Sequence, residues 1–174
     1  MSFLDTVFAL ADRVQAPRKA HAHCDIPCGI YDPHAAQVAA LTVIRMTQLI
    51  QAQPALDPAA GKEALDLYGM QLARYTGVKE EHAKICEHEL IVLWTDYFKP
   101  EHLQQRPDLH DLFWKATKLT STVKQQINME AAQQLLAACQ DVAELFWKTK
   151  GVQTRRQPSN QGAAGGEFVY PVAQ

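Results

Sequence analysis

Apolar residues recur at three- and four-residue intervals in four separate stretches of the chain, the spacing that places side chains on one face of an α-helix. Ala36, Ala40, Val43, Ile44 and Ile50 form the first stripe. They predict a helix to about Gln53, with Asp32 as its N-cap and Pro33 in the first helical position. Two prolines and a glycine mark 53–61 as a connection. A long second helix follows from about Lys62 to Phe98, carrying Leu65, Tyr68, Leu72, Tyr75, Ile85, Leu90, Leu93, Trp94 and Tyr97. Gly77 weakens its middle and Pro100 ends it. The third helix, from about Pro107 to Gln126, aligns Leu109, Leu112, Phe113, Ala116, Thr120 and Val123. A fourth starts at the Asn128 cap and presents Leu135, Cys139, Val142 and Phe146. Lys148 and Lys150 complement its C-terminal dipole, and Gly151 closes it. With no strand signal, the pattern predicts an all-α protein: an up-and-down four-helix bundle.

The two ends read differently. Residues 1–22 carry a short amphipathic pattern of Phe3, Leu4, Val7, Phe8, Leu10, Ala11 and Val14, followed by Ala16-Pro17-Arg18-Lys19. Ala20-His21-Ala22 has the small-residue form of a signal-peptidase site. However, the extreme N-terminus lacks positive charge, and Asp5 and Asp12 bracket a short apolar stretch, which disfavours secretion. Residues 1–22 read as a removable leader, for which the resemblance described below supplies the reason, 23–151 as the bundle domain and 152–174 as a flexible C-terminal tail rich in Gln, Gly and Ala. Phe168, Val169, Tyr170 and Pro171 offer the tail a means of docking on a neighbouring subunit, but disorder is the reading adopted.

Composition adds exclusions. The 174 residues are 47% hydrophobic with a formal net charge of −2, so no basic excess argues for nucleic acid or anionic lipid. No apolar run approaches the roughly 18 residues a membrane span requires. Four cysteines are too few for a disulfide scaffold.

The chemistry concentrates in His23-Cys24-Asp25-Ile26-Pro27-Cys28-Gly29-Ile30-Tyr31-Asp32-Pro33. Two thiols and an imidazole fall within six residues, and Pro27 and Gly29 keep the segment out of a regular helix. Thiolate and imidazole ligands select late transition metals. By spacing alone the pair fits a zinc half-site, a redox couple or two unrelated thiols. The remaining cysteines, Cys86 and Cys139, stand alone in helical patterns as apolar fillers and do not complete a four-ligand zinc site. His34, His88, His102 and His110 have no ligand spacing, and His21 lies in the leader.

The same stretch closely resembles the metal hook that opens mature nickel-containing superoxide dismutases. The resemblance recurs in order through Leu93-Trp94-Thr95-Asp96-Tyr97-Phe98-Lys99-Pro100, Pro107-Asp108-Leu109-His110 and Phe146-Trp147-Lys148-Thr149-Lys150. It implies a superoxide dismutase that converts superoxide to dioxygen and hydrogen peroxide by Ni(II)/Ni(III) cycling, with one nickel ion per subunit. It also implies a homohexamer and a maturation peptidase that removes residues 1–22. The implied ligands are the amine and ring of His23, the backbone nitrogen of Cys24, and the sulfurs of Cys24 and Cys28. Electron-rich thiolates and a deprotonated amide bring trivalent nickel within reach, and the His23 ring enters as an axial ligand. While Ala22 is attached the His23 nitrogen is an amide, so the precursor is expected to be inactive.

By resemblance Tyr31 stands beside the open face of the metal, Tyr97 is the second nearby tyrosine with a hydroxyl that reaches Tyr31, and Asp25 holds the loop. The need for free thiolates favours a reducing, cytoplasmic location. One departure stands out. A Glu that holds the hook histidine, and an Arg behind it, are expected at positions occupied here by Ala39 and His82. The rival reading is a non-catalytic helical protein that binds nickel, copper or zinc.

Overall fold

The computed structural model describes residues 29–59 and 61–172. The helices are α1 (His34–Gln51), α2 (Lys62–Val92), α3 (Leu109–Gln125) and α4 (Met129–Thr149). Helix α1 packs on α2 and α4, and α3 packs on the same two, so the four close into a bundle around one core. Ala40, Val43, Leu90, Phe113, Ala116, Leu135, Val142 and Phe146 of the expected stripes are all buried. On α2, however, Leu65, Tyr68, Leu72 and Tyr75 are only half-buried and Ile85 is exposed, because only the second half of that helix enters the core. The all-α, four-helix expectation is met.

Details at the helix ends follow from local chemistry. Asp32 serves α1 from one position further out than expected, its Oδ1 accepting the His34 N–H at 2.7 Å. Asn128 Oδ1 accepts the Ala131 N–H at 3.0 Å and caps α4 as predicted. Gly151, at φ +70°, closes α4 while its N–H donates to the Lys148 carbonyl. Gly77 does not interrupt α2.

The long second helix departs from expectation at its end. After Val92 it widens into one π turn over Leu93–Tyr97, with Phe98 N–H donating to the Leu93 carbonyl at 3.0 Å. A short 3₁₀ turn, Pro100–Gln104, leads towards α3. A π turn inserts an extra residue and so re-aims the side chains beyond it, here Asp96 and Tyr97.

The tail differs most from its sequence reading. Thr154–Pro158 (β1) and Glu167–Pro171 (β2) form an antiparallel hairpin, with Arg156 opposite Val169. Phe168 and Val169 are buried against the bundle rather than disordered. The cause is a dedicated set of polar clamps. Buried Gln37 of α1 accepts the Val169 N–H at 2.7 Å and donates to the Val169 carbonyl at 3.3 Å. On α4, Gln140 donates to the Glu167 carbonyl at 2.6 Å. Arg156 spans Gln140, Asp141 and Glu144. Gly166 matters too. At φ +76°, a Cβ there would meet Leu41 at 3.0 Å and Leu136 at 3.3 Å, so only glycine lets the turn seat on the α1–α4 seam.

One buried cation stands out. Lys79 of α2 is 1% exposed, and its Nζ donates to the carbonyls of Val123, Lys124 and Gln126 at the end of α3. The lysine thus caps the negative end of a neighbouring helix. Burial lowers its pKa from the ordinary lysine value, against the opposing charge of Glu80. The unfolded chain then binds the more protons between the lowered folded pKa and the ordinary value of 10.5. This group's contribution to stability therefore rises with pH across that alkaline window. Lys79→Met should strand the carbonyls and cost about 2 kcal/mol. In thermal unfolding that is a loss of roughly 6 °C, and the alkaline rise should disappear with it.

Candidate metal centre

His23, Cys24, Asp25 and Cys28 lie outside the described residues; the structure takes up the chain at Gly29, immediately after the second thiol. From there the backbone passes Tyr31 and enters α1. The π turn at the end of α2 presents Tyr97 to Tyr31, ring centroids 5.6 Å apart. Gly29, Tyr31, Asp96, Tyr97, Lys99, Glu101, His102 and Lys150 line one cleft of about 470 Å³ at this place. Three segments distant in sequence are thereby joined at the foot of the Cys/His stretch.

Tyr97 is enclosed on several sides. Its ring lies 4.5 Å from Phe146 and 5.0 Å from Phe98, and it stacks on His102 at 5.8 Å and 17°. Its hydroxyl meets Thr149 Oγ1 at 2.6 Å. Thr149 spends its own proton on the Phe146 carbonyl at 2.7 Å, so Tyr97 must be the donor of the pair. The Tyr97 proton is thus committed to α4, while its ring lies against that of Tyr31. His102 Nδ1 accepts the Lys99 N–H at 3.1 Å, which leaves Nε2 as the protonated nitrogen of the neutral ring.

The cleft carries charges of both signs. Lys150 Nζ sits 4.5 Å over the Phe146 ring and 5.7 Å from the Tyr97 ring, held by aromatic faces. Lys99 lines the same cleft, and Asp96 and Glu101 are its acidic groups.

Ala39 is buried in the core, so the expected carboxylate is absent from that position, and His82 is half-buried on α2. Trp94 Nε1 donates to His110 Nδ1 at 2.9 Å and ties the end of α2 to the start of α3. His102, Thr149 and Lys150 were not singled out as site residues by spacing. Their signal lay in the blocks around Phe98 and Trp147, which the fold brings together.

Cys86 and Cys139 are both fully buried, Sγ to Sγ 3.5 Å across the α2–α4 contact. The shared hydrogen bond and burial push the Cys139 thiol well above its ordinary value. Burial closes both to a polar thiol reagent in the folded protein, so they should react only on unfolding, as a two-stage thiol count would record. They are core residues remote in character from a ligand set. Among the described residues, no group of three or more His, Cys, Asp and Glu is placed to hold a metal ion. The donor set on offer is the softer one of 23–28.

A closed helical bundle with paired tyrosines in a charged cleft, at the root of a Cys/His stretch, fits a small metalloenzyme scaffold. Residues 18–150 match the family model for nickel-containing superoxide dismutase. The chain is 37% identical over 142 residues to the nickel superoxide dismutase of Streptomyces seoulensis, covering 81% of this chain and 98% of that one. Two solved structures of nickel-containing superoxide dismutase match it. One has nickel ligation corresponding to the oxidised state (35% identity, TM-score 0.62), the other to the state after partial X-ray-induced reduction (34%, TM-score 0.63). Each covers 74% of this chain and 99% of its own. The chain belongs to the nickel-containing superoxide dismutase family. Its activity is superoxide disproportionation, and family membership implies one nickel per subunit. The matched region stops at 150, before the C-terminal hairpin. Among the described residues no helix is long and apolar enough to cross a membrane.

Proposed function

We propose that superoxide is disproportionated at a hook formed by residues 23–28, once residues 1–22 have been removed by a maturation peptidase. The His23 amine and ring, the Cys24 amide nitrogen, and the Cys24 and Cys28 sulfurs would hold the metal. Nickel bound there supplies the one-electron redox chemistry, and the thiolates are the donors that make its higher state accessible.

The observation that carries this reading is the cleft at the hook's root, where Tyr31 faces Tyr97 between Lys99 and Lys150. Lys99 and Lys150 offer an anionic substrate cationic partners in a cleft whose charge Asp96 and Glu101 otherwise balance. The cleft's size and its tyrosine hydroxyls suit a small anion and ordered water.

The roles rest on the family resemblance and, for Tyr97, on its contact with Thr149. Tyr31 orients the anion and the water that delivers protons. Tyr97, its proton held by Thr149, acts as a positioning group that fixes the Tyr31 ring rather than as a proton source. Asp25 holds the hook loop through backbone amides. The reducing environment that free thiolates need supports a cytoplasmic enzyme, and the family resemblance supports assembly as a homohexamer.

The test is low-temperature electron paramagnetic resonance on nickel-loaded protein cut to begin at His23. A rhombic Ni(III) signal split by one axial nitrogen is the expected result. Stoichiometric nickel with no such signal in any oxidation state, and no superoxide decay, would sink the hook mechanism.

A further inference from the structure

The C-terminal hairpin lies beyond the residues that match the family, yet it is held to the bundle by specific polar groups on two helices. Those helices are the two that matter at the site. The start of α1 is the root of the hook, and the end of α4 carries Thr149 and Lys150. Strand β2 runs between them.

At the α1 end, the His34 ring packs edge-on to Phe168 at 5.3 Å and lies 5.7 Å from Tyr170. One turn further, the Gln37 amide pairs with both backbone groups of Val169. Asp32, which caps the His34 N–H, shares a cleft with Tyr170, Pro171 and Trp147. At the α4 end, Arg156 and Gln140 fix the same hairpin. A buried glutamine that satisfies both groups of one strand residue sets register as well as adding stability, since any slip leaves buried polar groups unpaired.

We propose that this hairpin is a positioning element for the metal hook, a strap that holds the hook's root on α1 in register with the Tyr97–Thr149 side of the cleft. The inference rests on the hook reading of the preceding subsection. It assigns the hairpin a task at the site instead of at a remote surface. Gln37 and Phe168 are its positioning residues, acting through the backbone of 31–37 and touching neither substrate nor metal.

The test uses protein cut to begin at His23, in three forms: unaltered, ending at Gly151, and Gln37→Leu with the hairpin retained. Two quantities are read, amide hydrogen exchange over 31–37 and the rate of nickel loss to a chelator. Both variants should exchange faster over 31–37 and lose nickel at least about tenfold faster, the lower end for removing support behind metal ligands. If the shortened chain fails to fold, Gln37→Leu decides alone. Faster exchange with an unchanged nickel-loss rate would make the hairpin merely structural and overturn the proposal, as would unchanged exchange. Failure of the unaltered protein to take up nickel would count against the hook reading itself. The exchange arm, run on metal-free protein, still tests the strap, and unchanged exchange there overturns it.

Discussion

Cys24→Ser and Cys28→Ser should each reduce superoxide decay to the uncatalysed rate, with helical content unchanged. A serine hydroxyl remains protonated at neutral pH and offers a hard, neutral oxygen where the site needs a soft anionic sulfur. The higher oxidation state is then out of reach even if some metal still binds. Neither cysteine belongs to the described bundle, whose helices begin at His34, so the fold should not suffer. The comparison that gives this weight is Cys86→Ala. That residue is fully buried against Cys139, and its loss should cost about 1 kcal/mol through the cavity while nickel content and activity persist. Superoxide decay by pulse radiolysis, with metal content by mass spectrometry, separates the two kinds of cysteine. Full activity in Cys24→Ser protein would remove the hook from the mechanism.

The contrast between these thiols shows what sequence periodicity delivers and where it stops. Cys139 sits on the apolar stripe of α4, and Cys86 reads as an apolar filler in the helical pattern of α2, next to Ile85, which the stripe named and which is exposed. That they face each other across α2 and α4 is a pairing of distant segments, which no single-helix pattern encodes. Helices α1, α3 and α4 were readable because each buries one continuous face, as Leu109, Phe113, Ala116 and Val123 do on α3, whereas α2 buries a face only in its second half. The hairpin was not. Its Gln, Gly and Ala composition resembles a linker, and its stability comes from Gln37 and Gln140, polar residues that sit within α1 and α4. A glutamine on a buried face was the available signal, since such a residue needs a partner.

The site divides in the same way. Tyr31 and Tyr97 were found through motif resemblance, and the ring contact between them is present. The Tyr97 hydroxyl goes to Thr149 because a π turn re-aims the end of α2 towards α4, a backbone irregularity invisible to hydropathy. Lys79 was equally hidden. Its aliphatic stem suits a buried helix face, while its charge finds carbonyls on α3 that only the packed bundle supplies.

The intact 174-residue chain should be inactive, and cleavage before His23 should switch it on. An α-amine titrates near pH 8 and exposes a lone pair to a metal at accessible cost. The same nitrogen in the Ala22–His23 peptide bond is delocalised into its carbonyl and presents no such pair. The hook would then lack one nitrogen donor. Protein beginning with one added glycine before His23 is the sharper form of the test. It keeps a free amine but moves it one residue away from the imidazole and the Cys24 amide. If any terminal amine sufficed, the glycine form would be active; if geometry rules, it should be as silent as the precursor. Cleavage is easily followed, because residues 1–22 carry a net charge of +1 and their loss takes the chain from −2 to −3. Isoelectric focusing therefore resolves cut from uncut protein in the sample assayed for superoxide decay. Activity that tracks the more acidic band supports the amine ligand. Equal activity in both bands would mean that the His23 nitrogen is not a ligand at all.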